Sequence, residues 1–430
     1  MTQLDRARAG EITDQLAAAA LRENLENEHV RQTVAAGVVV LPVNARRLEM
    51  ERPVLIGQGT LVKVNANLGT SSDHPELAAE LEKLRVALES GADTVMDLST
   101  GGDIDGIRRA IVGACTVPLG TVPIYQAVIE AVRKRGCLAN MTADGLFEVI
   151  ERHARDGVDF VTVHCGVTRG AVERLREQGR VTDVVSRGGA FLTEWMILNE
   201  VENPLYEHFD RLLELAHEYD VTLSLGDGLR PGSIADATDR AQVQELVVLG
   251  ELRDRAVRAG VQVMIEGPGH VPLDQVEANV LMEKKLCGGA PFYVLGPLVT
   301  DVAPGYDHIA CAIGGAVAGA AGADFLCYVT PSEHLHLPGP HEVREGVMAA
   351  RVAAHAADVA RGNAGALAWD RRMSEARKAL DWESQIELAI DPERARAMWE
   401  RSGSPDSETC TMCGEYCAIL KVKEYFAKKT

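Results

Sequence analysis

The feature that most constrains this chain is a series of short apolar runs. They stand at VKVNAN (62–67), TVMDLS (94–99), VPLGT (117–121), DFVTVHCG (159–166), VTLSLGDG (221–228), VQVMIEG (261–267), FYVLGPL (292–298) and DFLCYVT (324–330). Most are almost continuously apolar, as parallel strands covered on both faces must be. Between most of them lie helical patterns such as PELAAELEKLRVALESG (75–91), YQAVIEAVRKRG (125–136) and QVQELVVLGELRDRAVRAG (242–260). Eight strands with interleaved helices over about 290 residues predict an α/β chain built on a (βα)8 barrel. A doubly wound open sheet is the competing arrangement.

The flanks divide the chain further. Residues 12–35 show helical spacing, and GVVVLPVN (37–44) and PVLIG (53–57) suit two short strands. We therefore expect a small N-terminal α+β domain over 1–60 and the barrel over 61–362. VREGVMAARVAAHAADVARG would close the barrel. In the C-terminal helical region, 363–403, MSEARKALDWESQIELAI and PERARAMWERSG read as two amphipathic helices. SGSPDSETC (402–410) reads as a linker, leading into a cysteine-bearing tail over 404–430.

Charge and motifs exclude several functions. Net charge is 44 − 63 = −19, against the basic footprint of a nucleic-acid binder. No run of 18 apolar residues suits a membrane. The polar start MTQLDRARAGEITDQ lacks the apolar core of a secretory signal, so a cytoplasmic, reducing setting is expected, with the cysteines unpaired. There is no Walker loop, no G-x-G-x-x-G and no G-x-S-x-G.

In a barrel the C-terminal ends of the strands carry the site. Here nearly every predicted strand ends in polar residues: Asn65 and Asn67; Asp97 and Ser99; Tyr125; His164 and Cys165; Asp227 and Arg230; Glu266 and His270; Tyr293; Glu333, His334 and His336. One such residue is normally a cap or turn former, but the set together points to catalysis. EGPGH and EHLH each present an imidazole, His270 and His334, able to bind Zn²⁺ or Fe²⁺; the plainer alternative is a hydrogen-bonded loop histidine. SRGG (186–189) and GDGLRPG (226–232) join arginine to glycines and suit an anion such as phosphate, or simply a turn with an arginine salt bridge. His29, His74, His153, His208 and His217 read as helical or surface residues without a special role.

Nine cysteines remain, an odd number. Six are scattered, and most of these read as small apolar packing residues in or beside barrel elements. Cys410, Cys413 and Cys417 crowd into CTMCGEYC. Three thiolates without a nearby fourth ligand suit a [4Fe–4S] cluster with one open iron. That iron could bind S-adenosylmethionine and pass it an electron, giving a 5′-deoxyadenosyl radical. A zinc knuckle completed by a distant histidine is the alternative. A cluster on such a tail would dock over a barrel mouth, its own or a partner's.

Nine segments then carry a family resemblance: KVNANLGTS, GTVPIYQA, VTVHCGVT, ENPLYEHFD, SLGDGLRPGSIADATD, EGPGHVPLDQVEANV, PFYVLGPLVTDVAPGYDHI, GADFLCYVTPSEHL and CTMCGEYC. Together they resemble the ThiC family of thiamine biosynthesis, in its shorter form, over nearly the whole chain. The resemblance implies a radical S-adenosylmethionine lyase converting 5-aminoimidazole ribonucleotide to 4-amino-5-hydroxymethyl-2-methylpyrimidine phosphate, with 5′-deoxyadenosine, formate and carbon monoxide released. It implies substrate contacts from Asn67, Met96, Tyr125, His164, Ser186, Arg187, Gly188, Asp227, Gly228, Leu229, Arg230, Glu266 and Tyr293. It implies a divalent metal, zinc or iron, on His270 and His334, and the cluster on Cys410, Cys413 and Cys417. It also implies a homodimer in which one subunit's tail covers the other's site, served by a flavodoxin- or ferredoxin-like electron donor. Two other functions stay open: a 5-hydroxybenzimidazole synthase using the same substrate, and a metal-dependent barrel phosphohydrolase with a structural zinc tail.

Overall fold

In a computed structural model that describes residues 1–47, 50–401 and 408–427, each of the eight apolar runs supplies one strand. Two short strands precede them, β1 (Val39–Val40) and β2 (Ile56–Gly57), paired antiparallel. The eight are β3 (Lys63–Leu68), β4 (Thr94–Asp97), β5 (Leu119–Thr121), β6 (Phe160–Val163), β7 (Thr222–Leu225), β8 (Val263–Gly267), β9 (Phe292–Leu295) and β10 (Phe325–Cys327). They close in the order β10-β3-β4-β5-β6-β7-β8-β9, with every pairing parallel. This is the expected (βα)8 barrel; an open sheet is excluded.

Seven of the eight strands are shorter than their apolar runs, and β3 is as long as its run but shifted one residue along the chain. In DFVTVHCG only Phe160–Val163 pairs, and His164–Gly166 already belong to the loop. The loop stays buried, so apolarity continues where pairing stops. Side-chain caps start the helices in between. Thr142, Thr168 and Asp239 each accept a backbone N–H from the first turn of the helix that follows. Replacing such a cap by alanine costs about 1 kcal/mol. The barrel interior is filled by rings, with Tyr293 stacked on Phe325 at 4.1 Å and Phe160 edge-on to it at 6.5 Å. Val343, Val347 and Ala350 on the Ala-rich helix Pro340–Ala360 belong to this core.

The N-terminal segment has a small core of its own, including Leu16, Val30, Val34, Leu41 and Leu55. It is tied to the end of the barrel where the strands begin. The Asn44 N–H donates to Asp159 Oδ1 at 3.0 Å, just ahead of β6, and the Leu41 N–H donates to Gln262 Oε1 at 2.7 Å, just ahead of β8. Arg47 pairs with the same Asp159. That end is covered, so the strands' C-terminal ends form the working mouth.

The chain divides into two compact units, Met1–Ala357 and Asp358–Thr430. The second contains the helices Ala364–Ala379, Trp382–Glu387, Pro392–Glu400 and Ala418–Ala427. MSEARKALDWESQIELAI is therefore not one helix. It breaks where Leu380 adopts the left-handed conformation (φ 60°) and Asp381 caps the next helix through the Ser384 N–H at 3.1 Å. Trp382 stacks on Trp399 at 4.1 Å and donates from Nε1 to the Glu408 carbonyl at 3.0 Å. Most of the predicted linker, 402–407, lies outside the described residues, as does 428–430 of the tail. Among the described residues no helix is long and apolar enough to cross a membrane.

Candidate active site

At the mouth, Asn67, Met96, Tyr125, His164, Asp227, Arg230, Glu266 and Tyr293 line one cavity. Each stands at or just beyond a strand end, where closure of the barrel brings distant residues together. Beneath them lies a hydrogen-bonded floor. Asn65 Nδ2 donates to Asn67 Oδ1 at 2.7 Å and to the Tyr293 hydroxyl at 2.8 Å, and Thr94 donates to Asn65 Oδ1 at 2.8 Å. The Tyr293 hydroxyl lies 3.5 Å from Met96 Sδ. Asn67 is further held by the Tyr328 hydroxyl, which donates to its carbonyl at 2.5 Å. Locked side chains of this kind preorganise a site.

Carboxylates and guanidinium groups give the mouth its charge. Glu266 Oε1 accepts from Thr162 at 2.7 Å and from Ser224 at 2.6 Å. Burial still raises the Glu266 pKa, against the pull of those hydroxyls and of Arg230. Asp227 is likewise pushed up by burial, opposed by Arg230 at 3.1 Å and reinforced by Glu266. Burial pulls the Arg230 guanidinium down, but Asp227, Tyr125 and Glu266 outweigh it and its pKa rises. The Arg187 guanidinium lies 4.9 Å from the centre of the Tyr125 ring, a cation–π contact. Arg230 lines the mouth and Arg187 stands beside Tyr125, so positive groups gather here on a chain of net charge −19.

The SRGG and GDGLRPG segments meet at their glycines. A Cβ on Gly188 would overlap the His164 ring, and one on Gly189 would overlap the Gly228 carbonyl, so only glycine lets these loops touch. Ser186 caps the helix Arg187–Asn199 through the Gly189 N–H, and its Oγ lies 3.3 Å from His164 Nε2. His164 is buried, which lowers its pKa to about 3, with Arg230 adding to the effect. Its Nδ1 has no hydrogen-bond partner among the described residues. This imidazole is neutral, and its Nδ1 is buried beside Gly188. Both backbone groups of Leu229 are engaged inside the protein: its N–H donates to Glu245 Oε2 and its carbonyl accepts from Arg180 Nη2. The Leu229 side chain is in the core.

His270 and His334 come together, with ring centres 5.4 Å apart. Nδ1 of His270 lies 2.8 Å from Asp301 Oδ1, and Nδ1 of His334 lies 3.0 Å from Asp307 Oδ1. The other candidates beyond the strand ends play smaller parts. Asp97 and Ser99 bond one another in a turn, and His336 is exposed and bonds the Leu337 carbonyl. In the second unit, Cys410 is half-buried, Cys413 exposed and Cys417 buried, and none forms a disulfide. Among the described residues no three His, Cys, Asp or Glu side chains gather tightly enough to form a metal site by themselves. The donor chemistry still fits. Three free thiols lie within eight residues, and each of the two imidazoles has Nε2 uncommitted by its carboxylate contact.

Sequence reasoning passed over several residues. Cys327, read as packing, lines the mouth, and its Sγ accepts from Asn67 Nδ2 at 3.1 Å. Burial raises its pKa to about 11. Cys165, by contrast, is core packing. His153 is buried between Thr121 and Gln126, at 2.8 and 2.9 Å. Its position three residues after Ile150 and four after Val149, on the apolar face of its helix, was the available signal.

The sequence profile of the radical SAM ThiC family matches residues 2–424. The phosphomethylpyrimidine synthase of Moorella thermoacetica is 63% identical over 428 residues, covering 100% of this chain and 99% of that protein. Those of Desulforamulus reducens and Geobacter metallireducens are 61% and 60% identical over 429 residues, covering 100% of this chain and 99% and 98% of theirs.

Proposed function

Because the chain belongs to the radical SAM ThiC family, whose members use a [4Fe–4S] cluster and S-adenosylmethionine, we propose that it makes the pyrimidine phosphate precursor of thiamine from 5-aminoimidazole ribonucleotide. The observation that carries this is the match over residues 2–424, together with a mouth lined by eight of the predicted substrate residues.

Each part of the mouth suits a part of that substrate. Arg187, Arg230 and the N-terminus of the helix capped by Ser186 offer positive charge to the phosphate. The neutral His164, with Nδ1 unpartnered, offers one hydrogen bond to the ribose or phosphate. Glu266, fixed by Thr162 and Ser224, suits the amino group of the imidazole. The Asn65–Asn67–Tyr293 floor holds the ring in place and keeps bulk water away. Cys410, Cys413 and Cys417 would hold the cluster, which when bound supplies the electron that cleaves S-adenosylmethionine. His270 and His334 would hold a divalent cation. The release of formate and carbon monoxide, a homodimeric assembly and a small electron-transfer protein as donor belong to the same proposal.

The test is anaerobic. Reconstituted protein, which should be brown, is given aminoimidazole ribonucleotide, S-adenosylmethionine and a reductant, and the products are identified by mass spectrometry. The hydroxymethylpyrimidine phosphate and 5′-deoxyadenosine are expected. A benzimidazole product would overturn the pyrimidine assignment, and colourless protein holding one zinc at the tail would overturn the radical mechanism.

A further inference from the structure

We propose that Asp301 and Asp307 are positioning residues that orient His270 and His334 for metal binding. This rests on the two-histidine metal site proposed above and adds the groups that shape it. Both imidazoles meet a carboxylate through the same nitrogen. Nδ1 of His270 is 2.8 Å from Asp301, and Nδ1 of His334 is 3.0 Å from Asp307. A carboxylate accepts, so each Nδ1 carries a proton, and a neutral ring held this way presents its lone pair at Nε2. Two rings with centres 5.4 Å apart, each backed by a carboxylate at Nδ1, are close enough to share a cation. A carboxylate behind a ligating histidine also makes the ring a stronger donor.

The two aspartates are themselves held. Asp301 accepts the Ile234 N–H through Oδ2 at 3.0 Å, so the same side chain ties His270 to the turn that follows GDGLRPG. The His270 N–H donates to the Pro231 carbonyl at 3.2 Å, which latches the two loops a second time. Asp307 begins the helix Asp307–Ala321 and is 2% exposed, and its Oδ2 has no hydrogen-bond partner among the described residues. Burying a carboxylate against one imidazole is costly. A cation on the far side of that imidazole would offset the cost.

The test uses cluster-loaded protein, so that the tail thiols are occupied. It is dialysed to equilibrium against Co²⁺, and bound cobalt is measured by elemental analysis; the cobalt lost in His270→Ala and in His334→Ala defines the site. Asp301→Ala and Asp307→Ala should each weaken Co²⁺ binding at that site by roughly 10–100-fold. Asp301→Asn and Asp307→Asn should weaken it less, because the amide oxygen still accepts from Nδ1–H. Asp301 is 33% exposed, so its variants report on metal binding even if Asp307→Ala fails to fold. Unchanged cobalt affinity in the aspartate variants, with histidine-dependent binding intact, would overturn the positioning role alone. Absence of histidine-dependent cobalt in the unmodified protein would overturn the metal site and this inference with it.

Discussion

At the barrel mouth, the Tyr293 hydroxyl is held by Asn65 while its ring stacks on Phe325, and Asn65 is in turn held by Thr94. In the cysteine segment, Cys413 is exposed, and just ahead of Cys410 the Glu408 carbonyl accepts from the Trp382 indole while its side chain lies 3.9 Å from Lys423 Nζ. The mouth takes side chains from all eight strands or their loops, and it fixes Asn65, Asn67, Glu266 and Tyr293 by two or more partners each. The cysteine segment takes its donors from one short stretch. The difference suits the roles proposed above. A substrate with many polar atoms needs many fixed partners, whereas a cluster brings its own geometry and asks of the chain only thiolates at workable spacing.

That contrast can be broken most sharply by Cys417→Ser. Formation of 5′-deoxyadenosine should vanish while the thermal unfolding of the barrel stays unchanged, because Cys417 lies in the second unit. Calorimetry beside a product assay checks this, and a collapsed barrel would mean that the two regions are not separable. Arg230→Met probes the mouth in the opposite sense. Cluster content should be normal, but KM for the ribonucleotide should rise about 10–100-fold, the value of one charged hydrogen bond. Steady-state kinetics decides it; a loss of kcat with KM unchanged would show that Arg230 does not bind the phosphate.

The smallest effect concerns the barrel wall. Glu283 is buried, and burial raises its pKa to about 8 although Lys284 lies 3.8 Å away. Because the folded-state value exceeds the ordinary glutamate value of 4.5, the native state holds the proton more tightly. Stability from this group is therefore complete below about pH 4.5 and lost as pH rises through about 8. Glu283→Gln keeps the neutral form throughout. Its Tm should match the unmodified protein at pH 4.5 and exceed it by about 2–4 °C at pH 8.5, the shift expected for roughly 1 kcal/mol. Equal curves at both pH values would remove the unpaired carboxylate from the account of barrel stability.

Much of this was legible in the sequence because it rests on local pattern. Continuous apolar runs mark buried parallel strands, so all eight were located, and polar residues just beyond them marked most of the mouth. What could not be read depends on closure. Asp301 and Asp307 lie 31 and 27 residues from the histidines they face, and only the closed barrel brings those loops together. Cys327 looks like any small strand residue until β10 is set beside β3 and its thiol meets Asn67. The break at Leu380 is hidden for another reason. A leucine in the left-handed conformation carries none of the glycine signal that normally marks a helix end.

The covered end of the barrel has a kinetic consequence. Asn44 and Leu41 close the side where the strands begin, so ligands must come and go on the side of Arg187 and Arg230. A vessel with one opening imposes an order of loading. Whatever seats against Tyr293 and Asn67 at the floor must enter before anything that caps the rim. The last molecule in must be the first out, and no later turnover can begin until the floor has cleared.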